Sequence, residues 1–341
     1  MTGESPRIRW PAEWEPHAAV WLCWPHNPDT WPGRLEEARV EFAGILRALA
    51  GRERVRLLVA DAAVEESARR GLAAGGVDAS GVDFVRAATD DSWLRDSGGI
   101  FVERDGGRAL VDFRFDAWGG KYPPWDRDDA VPRVMQAHLG LPRFEADFVL
   151  EGGSIDGNGR GCVLTTEACL LHPNRERGRT RERMEARLAE WLGARHVLWL
   201  GDGIEGDDTD GHVDDVARFV DPGTVVAAVE SREADPNQEV LAENLRRLRG
   251  MRDQDGKPLA VATLPMPPPR RALGRRSPES YANFYLGNGV ALVPTFGAPS
   301  DARALAVLGE LLPGREVVGV PSSALVLGFG AVHCLSQQEI A

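Results

Sequence analysis

Apolar residues in this chain recur with two alternating periods, one typical of buried strands and one typical of amphipathic helices, in a cycle that repeats five times. Each cycle is about 60 to 70 residues long, and the cycles follow one another without a linker rich in Ser, Gly or charge. Five copies of one supersecondary unit can close into an α/β propeller, an open doubly wound sheet is the competing arrangement, and periodicity alone does not choose between them. Residues 1–341 are therefore predicted to form a single domain.

Within each cycle the predicted order is a strand or hairpin, then a helix, then a strand. The predicted helices are 35–50, 128–138, 181–192, 238–249 and 300–312. The predicted strands are 18–24, 55–60, a hairpin over 101–115, 146–150, 161–166, 196–200, 216–220, 225–229, 259–264, 284–286, 290–294 and 316–320. The stretch 265–278, rich in Pro and Arg, is predicted to be a surface loop.

Charge and cysteine content exclude several classes of protein. The formal net charge of −12 repels nucleic-acid phosphates and anionic membrane surfaces, so neither is a predicted partner. The first ten residues, MTGESPRIRW, lack the apolar core of a signal peptide, which predicts a cytoplasmic protein. The four cysteines contain no C-x-x-C pair and fit neither a disulfide framework nor a structural zinc site.

Four polar clusters stand at comparable points of the cycle, and they occupy residues 90–96, 151–153, 207–215 and 328–334. If the repeated units are related by rotation about an axis, these clusters meet at one end of that axis. Together they would supply one thiol, one imidazole and at least three carboxylates, from Cys334, His212, Asp96, Glu151 and Asp214.

Each cluster also has a purely structural interpretation when it is taken alone. Trp93 can fill a core, residues 151–153 can form a turn, and Cys334 can be an inert buried thiol. The acidic run 207–215 does not fit an EF-hand, because its first and last ligand positions would be Gly206 and Ala217.

Side-chain alternation gives further expectations for two of the clusters. On a strand, His212 and Asp214 would share a face, while Asp215 would turn to the opposite face and be solvated or structural. By the same argument, His333 would point away from Cys334.

The combined set indicates chemistry on a guanidinium group. A Cys and a His also serve cysteine proteases, but a peptide substrate gives no reason for two or three converging acids. A guanidinium is planar and cationic, so two Asp residues can clamp its nitrogens while a thiolate attacks its carbon. Loss of ammonia would then leave a thiouronium-like adduct that water hydrolyses.

The same residues resemble the agmatine deiminase family, with the related bacterial peptidyl-arginine deiminases, within the guanidine-modifying superfamily of five-bladed α/β propellers. The resemblance covers nearly the whole chain, and its motifs include PAEWEPH from Pro11, WLRD from Trp93, EGGSI from Glu151, TEACLL from Thr166, GHVD from Gly211, NFY from Asn283 and HCLSQQ from His333. So many matches in order are highly specific.

The resemblance implies a pentein fold around a central active-site channel, no metal or organic cofactor, and a homo-oligomer such as a dimer. It implies hydrolysis of agmatine to N-carbamoylputrescine and ammonia. By motif position it implies Cys334 as nucleophile and His212 as general acid and base. It also implies Glu151 as the carboxylate partner of that histidine. Asp96 and Asp214 would form the guanidinium clamp, and Trp93 would line the pocket.

The chain departs from the family pattern at three places. Gly99 stands where the family has Pro, Ala331 stands where Asn is common, and residues 32–35 differ from the usual segment. The departures leave the substrate open between agmatine, free arginine and peptidyl-arginine. The alternative to an enzyme is a catalytically silent propeller that serves as a binding module.

Overall fold

The computed structural model describes residues 7–272 and 274–341, whose strands form five sheets of three or four strands. The strands of each sheet are named in spatial order, so that neighbours are hydrogen-bonded. Sheet 1 contains Ser336–Ile340, His17–Cys23, Val55–Val59 and Val82–Arg86, and sheet 2 contains Ile8–Arg9, Ile100–Arg104, Gly107–Arg114 and Arg143–Val149. Sheet 3 contains Ile155–Gly157, Cys162–Thr166 and His196–Leu200, sheet 4 contains Ala217–Asp221, Thr224–Val229 and Ala260–Pro265, and sheet 5 contains Tyr285–Gly287, Val290–Thr295 and Glu316–Pro321.

Each of these five sheets contains the same ββαβ module, an antiparallel pair followed by a helix and a parallel strand. The five module helices are Leu35–Leu49, Val131–Leu139, Arg181–Leu192, Asn237–Gly250 and Asp301–Leu311. In sheet 1 the first strand of the module, Ser336–Ile340, follows all the others in the chain and pairs with His17–Cys23. The predicted α/β class is therefore confirmed.

Each module helix packs between its own sheet and the preceding sheet, because apolar residues on both sides of the helix are buried. In the first module, for example, Phe42 and Leu46 contact Leu57 of sheet 1 and Val290 and Val320 of sheet 5 in one apolar cluster. The other four modules repeat this arrangement, with one buried cluster between each pair of successive sheets.

The structure also contains elements that the apolar pattern did not predict. The helix Ala62–Ala74 buries only Ala68 and Leu72, so its apolar periodicity is weak. The strand Val82–Arg86 buries only Val85 completely, and two other unpredicted strands are Ile155–Gly157 and Ser336–Ile340. Within the predicted loop 265–278, Arg271–Ala272 pairs with Arg275–Arg276.

Helices in the described part of the chain are too short or too polar for a membrane span.

Candidate active site

The predicted site residues lie in corresponding segments, each just before the first strand of a module. A helical turn, Leu94–Ser97, precedes the first module strand of sheet 2, and single 3₁₀ turns, Gly152–Ser154 and Val213–Asp215, precede those of sheets 3 and 4. Cys334 precedes the strand Ser336–Ile340 of sheet 1. The repeated module therefore delivers one polar segment per sheet to a common place, where Asp96, Glu151, His212, Asp214 and Cys334 meet.

Cys334 is buried beside carboxylates that disfavour its thiolate. Its Sγ lies 3.7 Å from Asp214 Oδ2, and Asn283 Nδ2 lies 3.0 Å from the sulfur as a donor. Burial raises the pKa of the Cys334 thiol well above its ordinary value, and the negative charges of Asp214 and Asp215 raise it further. Without substrate the group is therefore held as a thiol.

Asn283 is the first residue of the NFY motif, and the sequence alone did not indicate a role for it. It directly precedes the first strand region of sheet 5, the one module for which no polar cluster was identified. Its side-chain oxygen accepts the backbone N–H of His333, and its amide also donates to Asp215 Oδ1 at 3.0 Å. Its equivalent position in the fifth cycle was the signal that could have identified it.

The two predicted clamp carboxylates differ in their surroundings. Asp96 Oδ1 accepts the backbone N–H of Gly153 at 2.9 Å, and Oδ2 accepts the indole N–H of Trp118 at 2.9 Å. Burial raises the pKa of Asp96. Burial also acts to raise the pKa of Asp214, but the hydrogen bond and charge of His333 outweigh it, and the pKa is lowered. Asp214 is thus the more firmly ionised member.

His333 connects Asp214 to the N-terminal part of the chain. Its Nδ1 lies 2.7 Å from Asp214 Oδ2, and its Nε2 lies 2.8 Å from Glu13 Oε2. Both distances are those of hydrogen bonds, so His333 joins the carboxylates of Asp214 and Glu13. The prediction that His333 points away from Cys334 is wrong, because both residues precede the strand and both approach Asp214.

His212 and Glu151 are both buried below Asp96. His212 Nδ1 lies 3.8 Å from Asp96 Oδ2, and neither ring nitrogen has a hydrogen-bond partner within the described residues. Burial lowers the pKa of His212, but Asp96, Cys169 and Asp214 raise it more, and the net pKa lies well above its ordinary value. The ring therefore carries a proton that it can donate.

Glu151 stays ionised next to this imidazolium because of Arg175. The fully buried Arg175 donates Nε–H to Glu151 Oε1 at 2.7 Å. Burial acts to raise the pKa of Glu151, but the charges of Arg175 and His212 outweigh it and lower the pKa. Arg175 lies outside every motif with an obvious chemical role, so sequence reasoning did not identify it.

His212 and Asp214 do not lie on a strand, and the face argument for them is wrong. Residues 213–215 form a 3₁₀ turn, which brings both side chains to the same site by a different route. Asp215 is buried rather than solvated, and it accepts a hydrogen bond from Asn283. Of its two predicted roles, the structural one is confirmed.

One group of side chains has the ligand types and spacing of a metal site. Ligand atoms of Glu151, Cys169 and His212 all lie within 4.8 Å of one another. The Arg175 guanidinium, however, bonds Glu151 and lies 3.9 Å from Cys169 Sγ, so it would repel a divalent cation at this position. The chemistry of the group therefore fits an acid–base pair better than a metal centre.

A cavity of about 750 Å³ leads to this site, and Trp93, Asp96 and Cys334 lie on its surface. Its lining is aromatic and acidic, with Trp118, Trp125, Phe329, Asp90, Asp91 and Asp128, and the more exposed Tyr122 and Asp208 lie at its mouth. Three basic residues also line it, and each lies near an acid, at 2.7 Å for Lys121 and Asp210, 3.2 Å for Arg275 and Asp208, and 3.8 Å for Arg127 and Asp90.

Gly153 lies where a side chain cannot be accommodated. A Cβ at this position would lie 2.5 Å from His212 Nδ1 and 2.9 Å from Asp96 Oδ1. We expect Gly153→Ala to lower kcat by a factor of about 10² or more, because small displacements of reacting groups have effects of this size. Gly81→Ala is the matched control, since a Cβ there meets no atom within 4 Å. Equal ammonia-release rates for the two variants would contradict the assignment of this site.

Comparison with known proteins identifies the family of this chain. The family model of Porphyromonas-type peptidyl-arginine deiminases matches residues 9–339. The chain is 38% identical to the agmatine deiminase of Ectopseudomonas mendocina, over 97% of this chain and 95% of the relative. A substrate-bound cysteine-to-serine variant of the C. jejuni agmatine deiminase is 29% identical with a TM-score of 0.91, over 100% of this chain and 98% of that one.

The agmatine deiminase of Enterococcus faecalis is a further structural neighbour, at 33% identity and a TM-score of 0.91, over 97% of this chain and 95% of that one. These matches extend over all five sheets and all the segments that carry the site. The chain belongs to the family of Porphyromonas-type peptidyl-arginine deiminases.

Proposed function

We propose that this protein is an agmatine deiminase, which hydrolyses agmatine to N-carbamoylputrescine and ammonia. The observation that carries the proposal is a single thiol, Cys334, placed 3.7 Å from the carboxylate of Asp214 at the end of a cavity that Asp96 also lines. A cationic, planar guanidinium fits between two such acids, whereas a neutral peptide bond does not. The relatives that carry the name agmatine deiminase match over nearly their whole length.

Substrate binding activates the nucleophile in this mechanism. The guanidinium hydrogen-bonds to Asp96 and Asp214, and its positive charge lowers the pKa of Cys334, whose proton leaves to solvent. The thiolate then attacks the guanidinium carbon. His212, which begins as an imidazolium, donates its proton to one NH₂ group, and the C–N bond breaks with release of ammonia.

In the hydrolysis of the thiouronium-like adduct, His212 acts as a base, whereas it acts as an acid in the first step. Neutral His212 takes a proton from water as the oxygen attacks the carbon, and the negative charge of Glu151 stabilises the imidazolium that forms again. The C–S bond then breaks and returns the electron pair to Cys334 Sγ, which takes up the remaining hydroxyl proton as the C=O bond forms and becomes a thiol again. The urea product, N-carbamoylputrescine, leaves through the cavity.

The charges around the cavity favour a substrate without an α-carboxylate. Among the four polar clusters, the Lys or Arg that could bind a carboxylate is Arg95. This residue is buried and bonds Gln338 and Glu13 instead of facing the cavity. Lys121 and Arg275 are both paired with acidic side chains at the mouth. Agmatine, which carries an ammonium at its far end, therefore suits the acidic mouth better than free arginine.

The arrangement of the sheets supports the proposed five-bladed propeller and a single domain over residues 1–341. Five buried clusters join successive sheets, and the cluster around Phe42 joins sheet 1 to sheet 5. In a ring of five blades each sheet has two neighbours, which is the pattern that these clusters follow. The central channel would then hold the active site. A cytoplasmic location and a homo-oligomer stay predictions, and size-exclusion chromatography tests the latter.

Ammonia release from a panel of agmatine, arginine and a peptide containing arginine tests the proposed function. We expect the highest kcat/KM for agmatine, because only this substrate lacks both a carboxylate and a peptide chain at the acidic mouth. A higher kcat/KM for arginine or the peptide would instead support the alternative substrates. No release from any of them would favour the silent binding module.

The titration of Cys334 gives a separate prediction. In the free enzyme we expect a thiol pKa well above the ordinary value, because burial and neighbouring carboxylates disfavour the thiolate. An unreactive cationic guanidine should lower this pKa on binding. Thiolate absorbance measured against pH, with and without the guanidine, checks both statements. An apparent pKa already below about 7 in the free enzyme would instead indicate a pre-formed thiolate and imidazolium pair.

A further inference from the structure

Residues 117–120 form a left-handed turn at the wall of the cavity. The φ angles of Ala117, Trp118, Gly119 and Gly120 are 52°, 58°, 86° and 77°. Two of these residues carry a Cβ, which makes the left-handed region unfavourable for them. Such a conformation persists only where surrounding contacts fix it.

Contacts of this kind surround the turn. Asp116 accepts the backbone N–H of Gly119 at 2.8 Å. The carbonyl of Trp118 accepts hydrogen bonds from Arg175 at 3.3 Å and from Asn174 at 3.4 Å. Gly119 has no space for a side chain, since a Cβ there would lie 2.5 Å from atoms of Asn174. The backbone is therefore fixed from both sides.

The fixed backbone directs the Trp118 indole at Asp96. Its Nε1–H donates to Asp96 Oδ2 at 2.9 Å, and its ring lines the cavity. Edge contacts hold the ring, with centroid distances of 5.3 Å to Phe115 and 5.8 Å to Tyr122. Asp96 thereby receives one donor from Trp118 and one from the Gly153 backbone, one on each oxygen.

We propose that Trp118 is a positioning residue for the guanidinium clamp, held by the left-handed turn so that its indole N–H fixes the orientation of the Asp96 carboxylate. The inference rests on the proposed function, because it assigns Asp96 to substrate binding. With Oδ1 and Oδ2 each bonded to a fixed donor, the carboxylate plane is set before substrate arrives, and little ordering remains for binding to achieve.

Arg175 connects this support to the acid–base pair. The same guanidinium that donates to the Trp118 carbonyl also donates to Glu151. It further contacts Asp210 and donates to the carbonyl of Thr209 at 2.8 Å. The buried guanidinium of Arg175 therefore fixes Trp118, which bonds Asp96, relative to Glu151, the partner of His212.

The test is Trp118→Phe, which removes the N–H donor and retains an aromatic ring. We expect kcat/KM for agmatine to fall roughly 10- to 100-fold, the effect of losing one hydrogen bond to a charged group. Because a donated N–H favours ionised Asp96, its loss should move the acid limb of the pH profile to higher pH. Trp191→Phe, on a helix outside the cavity, is the matched control.

A second measurement reports the contact without catalysis. In ¹H–¹⁵N spectra, the indole signal of Trp118 is the one that disappears in Trp118→Phe. This signal should shift in Asp96→Asn. An unchanged signal there, or an unchanged pH profile and kcat/KM in Trp118→Phe, would overturn the inference. If the wild type released no ammonia from agmatine, the proposed function would fail, and the indole signal alone would then decide the role of Trp118.

Discussion

Replacing Cys334 by serine is expected to lower kcat for ammonia release by a factor of about 10⁴ or more, as when a covalent nucleophile is removed. Serine is only slightly smaller than cysteine, and its hydroxyl can accept a hydrogen bond from Asn283, which donates to the sulfur in the wild type. A hydroxyl surrounded by ionised carboxylates is far harder to deprotonate than a thiol, so the guanidinium charge that activates Cys334 is insufficient for serine.

Two controls make this experiment decisive. Cys162 is also buried, on a strand of sheet 3, so Cys162→Ser tests the general cost of introducing a hydroxyl. Substrate that stays bound to Cys334→Ser without turnover would show that the pocket is intact. Turnover of Cys334→Ser within about tenfold of wild type would exclude the covalent mechanism.

The clamp variants Asp96→Asn and Asp214→Asn should each lower kcat/KM for agmatine by about 10²-fold or more. Each change removes a charge-assisted hydrogen bond worth about 1.5 to 3 kcal/mol and misplaces the guanidinium carbon relative to the thiolate. Exposed Asp202 supplies the matched control, Asp202→Asn. Normal processing of agmatine by both clamp variants would show that the clamp lies elsewhere.

The two clamp variants should differ in stability. Asp214→Asn removes the buried carboxylate that bonds His333 at 2.7 Å and is expected to lower the free energy of unfolding by about 3 kcal/mol. The lowered pKa of Asp214 means that its contribution is present above the unfolded pKa and is lost as pH falls through the folded pKa. Burial raises the pKa of Asp96, so Asp96→Asn removes the cost of burying a charge and should leave the melting temperature nearly unchanged.

The sequence was informative where polar residues recur at one point of the repeated module. Cys334, His212 and Asp96 were found in this way, because the cycle places them at equivalent positions and the structure brings them together. Predicted helix and strand bounds also agree closely, for example 181–192 with Arg181–Leu192. Burial in these elements is strong, so their periodicity is clear.

Residues that act through long-range contacts could not be predicted. Trp118 reaches Asp96 only through a left-handed backbone, which no propensity indicates for Ala117 and Trp118. Gly99 is another example, because its N–H donates to Met135 Sδ and a Cβ there would lie 2.8 Å from Leu110. A proline at 99 would lack that donor, so distant packing explains this departure from the family pattern.

The buried ion pairs around His333 have a consequence for how this sequence can diverge. Glu13 bonds His333 at 2.8 Å and lies 3.1 Å from Arg95 and 3.0 Å from Arg218, which in turn bonds Asp156 at 2.7 Å. Changing any one of them leaves a partner's charge buried and unpaired, at a cost of several kcal/mol. Substitutions at these positions are therefore epistatic, and we expect related lineages to keep them unchanged or to replace them jointly, whatever their substrate.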